Sequence, residues 1–591
     1  MSVANQPLDT DRTDGSAEPA PSDGDAVTTS EVRARLRTVA SWVTTVLAVG
    51  LVWFALVAPN RLDRLGPGSF LRIPIEALVI IAASLILPAR ARRIVAVVIG
   101  VVVGLLTIAK ILDMGFFTEL DRPFNPLTDW SYFGPAFGVF RDAVGQTWAI
   151  VAAIFAVLLA VAVVVFMPLS VLRLNRLTAH HRRASARTVA ALGLVWILCA
   201  VLGVKVISGL PIASTSTAGL ADEQIRTVGA GIHDQQTFAA TLRAHDPLSK
   251  APAGDLLTGL RGKDVIVAFV ESYGRIAVQD SAFSPQVDAV LNAGTNSLRA
   301  AGFSSRSAFL TSPTFGGISW LAHSTLQSGL WIDNQQRYNQ LVASNRFTLS
   351  NAFKRAGWRT VGDVPSNEGV WTQGTSFYNY DKLYNDSNVG YAGPKFSYAT
   401  MPDQYILSAF QRLELAAPNH RPVMAEIDLV SSHTPWAPLP RMVPWNKVGD
   451  GSIFDPMPAQ GQSPGTVWRD PNQVRAAYGQ SIQYSLTALI SFVQTFHDNN
   501  LVLVLLGDHQ PSTIVSGSGG SHDVPITIIA HDQNVLDRIS SWGWQDGMLP
   551  SPQAPVWRMD AFRDRFLKAY GPHPPTASAP AAPFSTSGAP R

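Results

Sequence analysis

At 591 residues the chain is too long for one ordinary domain and implies at least two units. Hydrophobic residues make up 47% and charged residues 15%, a low charge content that argues against a protein soluble throughout. The net charge of +3, with no basic stripe interleaved with aromatics, argues against a nucleic-acid partner. The single cysteine, Cys199, excludes an internal disulfide framework and a Cys-based zinc cluster.

Residues 1–30 are rich in Asp, Ser, Pro, Ala and Gly without apolar periodicity, the composition of a disordered tail. Residues 31–208 then carry five apolar runs, near 41–58, 71–88, 94–112, 147–168 and 188–208. Each approaches the ~20 apolar residues that a helix needs to cross a bilayer. Runs such as WAIVAAIFAVLLAVAVVVFMPL are apolar on every face, which suits lipid better than a globular core. The expectation is a bundle of five transmembrane helices.

Basic residues set the orientation. Arg33, Arg35 and Arg37 precede the first run, Arg90, Arg92 and Arg93 follow the second, and Arg173, Arg176, Arg182, Arg183 and Arg187 follow the fourth. Basic loops stay cytoplasmic, so the N-terminus reads as cytoplasmic and everything after residue 209 as external. Arg61, Arg64 and Arg72 near the first external loop run against this pattern. The loop at 113–146 carries Phe116, Phe117, Trp130, Tyr132, Phe133, Phe137 and Phe140, an aromatic belt at the lipid interface or a shelf guiding a lipid substrate.

Residues 209–260 read as a polar connector with helical stretches, in which Ser216-Thr217-Ala218 is a candidate for proteolytic release. From 261 to 571 the texture alternates between strand and helix. The runs at 264–270, 424–433, 501–509 and 524–530 are apolar and β-branched, and 473–498 shows helical spacing through Val474, Tyr478, Ile482, Leu486, Leu489 and Phe492. This pattern predicts an α/β sandwich around a mainly parallel sheet. Ligands bind such sheets at the carboxyl ends of the strands, where Glu271, His433, Asp508 and His509 fall. Two carboxylates and an imidazole suit a divalent metal such as Zn or Mn, and a hydroxyl could complete the set. The Pro- and Ala-rich end, 572–591, reads as a flexible tail.

The ordered set VESYGR (270–275), TFGGIS (314–319), SSHTPW (431–436) and GDHQP (507–511) resembles the sulfatase-like branch of the alkaline-phosphatase superfamily. It is most similar to lipoteichoic acid synthases and phosphoethanolamine transferases, which place five membrane helices ahead of an external catalytic domain. The resemblance covers about residues 260–570. It implies a metal held by Glu271, Ser319, Asp508 and His509, with Mn or Zn favoured and Mg allowed. It implies Ser319 as nucleophile, with Thr314 as its rival, and places His433, Trp371 and His522 at the substrate. The implied reaction moves a phospholipid-derived phospho-head group to an envelope glycan or lipid through a phospho-serine. Hydrolysis of external phosphodiesters, phosphomonoesters or sulfate esters, or a non-catalytic binding role, are the alternatives.

Two departures from the family pattern bear on the substrate. The stretch from Ser319 to His323 lacks the formylglycine signature, which disfavours sulfate esters. Gln373 stands where phosphoglycerol transferases carry an arginine, which weighs against a glycerol phosphate head group.

Overall fold

The computed structural model describes residues 24–205, 210–367 and 369–572. Most of the expected N-terminal tail (1–23) and nearly all of the expected C-terminal one (573–591) lie outside the described residues. The chain divides into two units, one built from most of the N-terminal helices and one containing the whole sheet domain.

The first unit draws on helices α1 (Gly24–Val57), α2 (Ile75–Ile86), α3 (Ala89–Leu120), α5 (Gln146–His180) and α6 (Arg182–Val201). Four of these, α1, α3, α5 and α6, are long and apolar enough to cross a membrane. The run expected as the second span forms only the 12-residue α2. Pro74 stands at its N-cap and Pro88 follows its end, and proline cannot continue a helix hydrogen-bond ladder. At ~1.5 Å per residue α2 is about 18 Å long, short of the ~30 Å hydrocarbon layer. Large apolar side chains such as Phe155, Leu158, Val161 and Phe166 are exposed on α5, a surface suited to lipid.

In the second unit α3 continues through the expected start of the 113–146 loop to Leu120, and α4 (Phe133–Val144) follows it. The connector holds the 28-residue α7 (Ser216–Arg243). Ser216 and Thr217 open that helix, and Thr217 is buried with its hydroxyl donating to Leu56 O at 2.9 Å. A buried helical turn is a poor protease substrate, so the proteolytic candidate finds no support there.

The sheet has nine strands: β1 (Asp264–Val270), β2 (Ser304–Thr311), β3 (Arg359–Asp363), β4 (Lys382–Tyr384), β5 (Val423–Leu429), β6 (Leu501–Gly507), β7 (Asp523–Ala530), β8 (Gln545–Asp546) and β9 (Val556–Arg558). Their order is β8-β2-β7-β6-β1-β5-β3-β4, with β9 also on β2. The block β6-β1-β5-β3-β4 is parallel, whereas β7 runs antiparallel to both β6 and β2. The sheet is therefore mixed, and its parallel part carries the expected runs.

Both faces are covered, which explains why β1 and β6 are apolar throughout rather than alternating. Ile266, Ala268 and Val270 pack into one core with α8 (Ser284–Ala300) and the helix expected at 473–498, which spans Pro471–Phe496. Val265, Val267 and Phe269 enter the opposite core, with Leu321, Ala322 and Leu326 of α9 (Ser319–Ser328). This is an α/β sandwich preceded by apolar helices.

Candidate active site at the strand ends

Strand register brings the first residues together. Val270 pairs with both Leu429 and Gly507, so Glu271, Asp508 and the loop leading to His433 leave the sheet side by side. Gly507 is required at this crossing, because a Cβ there would overlap the Tyr273 carbonyl oxygen. Two antiparallel pairings give β2 the same direction as β6, so the chain from Thr311 to Ser319 emerges at the same edge. Gly316 N donates to Gln510 O at 2.8 Å and pins that turn to the segment after His509. Gly316 has φ 72° and Ile318 φ 66°, a left-handed path that sets Ser319 at the start of α9.

Four side chains converge there. Ser319 Oγ donates to Glu271 Oε2 at 2.9 Å and lies 3.2 Å from His509 Nε2. His509 Nε2 is 3.2 Å from Glu271 Oε1 and 3.6 Å from Asp508 Oδ2. Asp508 Oδ1 accepts from Ser272 N and His509 N, each at 2.7 Å, while its buried Oδ2 has no hydrogen-bond partner. His509 Nδ1 is 2.8 Å from Gln510 O, so it donates there and leaves Nε2 as the inward-facing nitrogen.

Electrostatics tie the group together. Burial alone would raise the Glu271 carboxyl, yet the His509 imidazole, helped by His433, holds it well below the ordinary range. Burial and the neighbouring Glu271 push Asp508 up to about 7. Burial would lower His509, but Asp508 and Glu271 raise it to about 9. A buried site that places excess negative charge around one unpartnered carboxylate oxygen fits a divalent cation. The donor set of two carboxylates, an imidazole nitrogen and a hydroxyl has the composition of such a site.

The other expected residues divide. Thr314 is buried, its amide 3.2 Å from Ser312 Oγ, and no hydrogen bond joins it to the cluster among the described residues. His433 stacks on Tyr398 with centroids 3.6 Å apart, and burial lowers it below its ordinary value against the pull of Glu271. Trp371 lies 5.3 Å from the Tyr378 ring and 6.3 Å from that of Tyr380. His522 packs 5.4 Å from the Phe315 ring and makes no hydrogen bond to the four converging side chains among the described residues.

The family model described as Sulfatase matches residues 304–534. This stretch is similar to that family. The sulfatase match contains Ser319, His433, Asp508 and His509, whereas Glu271 precedes it. No curated protein matches the chain. Among solved structures, the lipoteichoic acid synthase LtaP from Listeria monocytogenes is 16% identical with a TM-score of 0.31, covering 46% of this chain and 66% of its own. This chain thus spans just under two thirds of that protein's length. The lipooligosaccharide phosphoethanolamine transferase A from Neisseria meningitidis is 12% identical with a TM-score of 0.40, covering 87% and 93%. The phosphoglycerol transferase GacH from Streptococcus pyogenes is 13% identical with a TM-score of 0.33, covering 57% and 91%.

The matched stretch also holds a second acidic group, on α9 and β5. His323 lies one turn after Ser319 on α9, with Nδ1 at 3.1 Å from Glu426 Oε1 and 3.4 Å from Asp428 Oδ1. Its signal in the sequence is the alternation in MAEIDL, which turns two acids to one face of β5.

The membrane-side segment of the same unit touches this region as well. Thr513 Oγ1 donates to Thr118 O at 2.5 Å, and Gly519 N donates to Asp121 Oδ2 at 2.6 Å. The Tyr132 ring lies 6.1 Å from that of Trp320, the neighbour of Ser319. Part of the aromatic segment 113–146 is therefore packed beside the Ser319 turn rather than wholly turned to lipid.

Proposed function

We propose that this protein moves a phospho-head group from a phospholipid to an envelope glycan or lipid acceptor, with Ser319 as the covalent carrier. The observation that carries the reading is the Ser319 hydroxyl held between Glu271 and His509, beside Asp508. A hydroxyl in contact with a base and an imidazole, at the end of a sheet, is an activated nucleophile. Glu271, Asp508, His509 and Ser319 would hold a divalent metal, Mn or Zn with Mg allowed. When bound, the metal supplies charge stabilisation for the transferring phosphoryl group.

In the first step the Ser319 Oγ–P bond forms and the P–O bond to diacylglycerol breaks. The serine proton passes to Glu271, which already accepts it in a hydrogen bond. Glu271 then passes that proton to the departing alcohol oxygen, and His433 would contact the leaving group. In the second step an acceptor hydroxyl attacks phosphorus, the Oγ–P bond breaks, and the acceptor proton restores the starting state. Water as acceptor would make the enzyme a hydrolase.

This reading puts residues 261–571 outside the cell membrane with the N-terminus in the cytoplasm, supported by the alternating basic loops. Trp371 would line the head-group pocket, and His522 would contribute from the segment beside Phe315. Mass spectrometry of protein quenched during turnover of labelled phospholipid tests the carrier. Phosphate ester on Ser319 supports it; label on Thr314, or on no residue under conditions of donor turnover, refutes it.

A further inference from the structure

The segment between α3 and α5 divides its aromatic side chains between two surroundings. Phe124 and Tyr132 are buried, and Phe124 packs edge-on against Phe116 and Trp130 with centroids 5.1 Å apart in each case. α4 turns the others outward. Phe133, Phe137, Phe140 and Val144 recur at the four- and three-residue spacing of one helix face, within about 60° of arc. These four are 37–44% exposed, and Trp130, just before the helix, is 59% exposed. The charges of α4 lie off this stripe, where Arg141 Nε donates to Asp142 Oδ1 at 3.0 Å. No residue of α4 is buried, so the stripe lies open.

Four large apolar side chains aligned on twelve residues call for a non-aqueous neighbour. Chain continuity says which one. Only Gly145 separates α4 from α5, whose apolar length suffices to cross a membrane. Gly145 turns the chain at φ 88°, and Ala149 N donates to Gly145 O at 3.1 Å, so α5 departs from the turn itself. Trp148, 69% exposed, stands at this start, the place of an interfacial aromatic. α3 is likewise long and apolar enough to cross, and it ends at Leu120. A helix strung between two consecutive spans stands where they meet the bilayer surface. At that depth an apolar stripe fits the boundary between headgroups and acyl chains.

The same segment is built into the turn that carries Ser319. Gly316 lies so close to Glu119 that a Cβ there would overlap the Glu119 carbonyl oxygen. Thr118 and Asp121 accept hydrogen bonds from Thr513 and Gly519, in the segment after His509. Tyr132, one residue before α4, brings its ring to 6.1 Å from that of Trp320.

We infer that α4 lies in the bilayer surface through Phe133, Phe137, Phe140 and Val144 and seats the Ser319 turn at the headgroup layer. Its consequence, resting on the head-group transfer reading above, is that the donor phospholipid is attacked without leaving the bilayer.

The test uses the full-length protein in phospholipid vesicles. Phe137→Cys, in a Cys199→Ser background, carries an environment-sensitive fluorophore, and lipids brominated on their acyl chains quench it by contact. Quenching should be several-fold stronger than for the same label at Leu413→Cys, an exposed position in the turn that leads to the start of β5. Quenching no greater than at Leu413 overturns the inference. So does disulfide cross-linking of unlabelled Phe137→Cys between two copies, which would assign the stripe to a second copy of the chain. Activity gives a separate readout. Phe137→Asp combined with Phe140→Asp should lower diacylglycerol release from vesicles at least about ten-fold, the factor one buried phenyl ring supplies. Release from a short-chain donor dissolved as monomers should be spared. Equal loss on both donors overturns the seating of Ser319 at the bilayer. No release by the wild type from either donor refutes head-group transfer and leaves quenching to decide where α4 lies.

Discussion

Ser319 Oγ donates to Glu271 Oε2 at 2.9 Å although 48 residues separate them in the chain. The contact exists because Glu271 extends a central strand while Ser319 opens the helix that follows a strand three places away across the sheet. Removing the hydroxyl should remove activity and leave the fold. Ser319→Ala should lower turnover by at least about 10³-fold, the scale of losing a nucleophile with its site intact. Ser319→Thr keeps the oxygen and should retain measurable activity. Thr314→Ala should keep the phospho-enzyme, since the Thr314 amide, not a cluster contact, ties it to Ser312.

Asp508 should control metal content. Its Oδ2 is buried and unpartnered, while Oδ1 is occupied by two backbone amides. Asp508→Ala should therefore lose bound metal yet fold, because the strand before it is secured by its apolar pairing. Elemental analysis of purified protein should find metal in the wild type and none in the variant. Metal retained in full by the variant would place the binding site elsewhere.

Gly507→Ala should disturb the site through the backbone. The added Cβ meets the Tyr273 carbonyl, and neither group sits at the end of a flexible side chain. The cost should be about 1–3 kcal/mol, as for overpacking in a close-packed interior. Thermal unfolding should show a lower Tm, together with weaker metal retention than at a control glycine such as Gly465, which has open space around its Cβ position.

His323 predicts a pH-dependent stability. Burial would lower its pKa, but Asp428 and Glu426 raise it to about 9 from an ordinary 6.5. A raised histidine stabilises the fold fully below 6.5 and loses that contribution as pH climbs through 9. The span corresponds to at most about 3 kcal/mol. The Tm difference between wild type and His323→Gln should be largest near pH 6 and shrink above pH 9; a difference that grows with pH would reverse the assignment.

Strand texture made much of the architecture legible. Uninterrupted apolar runs ending in Glu271 and Asp508 marked buried parallel strands, and register then determined that their ends meet the loop to His433. The second apolar run looked like a span because composition counts residues, whereas Pro74 and Pro88 limit its helix to 12 residues. The antiparallel direction of β7 left no local mark, since a fully buried strand reads the same either way. The second acidic group was hidden for another reason: His323 and Glu426 come from elements distant in sequence, and their meeting depends on the face of β5 and on the face that α9 turns inward.

Orientation can be checked without purification. The basic loops predict that protease added to intact cells cleaves within residues 260–570 while cytoplasmic markers survive. Protection of that region under the same conditions would place it inside.

The central claim is head-group transfer by Ser319, and the most direct measurement is diacylglycerol release from head-group-labelled phospholipid in membranes containing wild type or Ser319→Ala. Release should require Ser319 and divalent metal, with label passing to a glycan or lipid acceptor. Release unchanged in Ser319→Ala, or label recovered only as a small soluble phosphate ester, would contradict it.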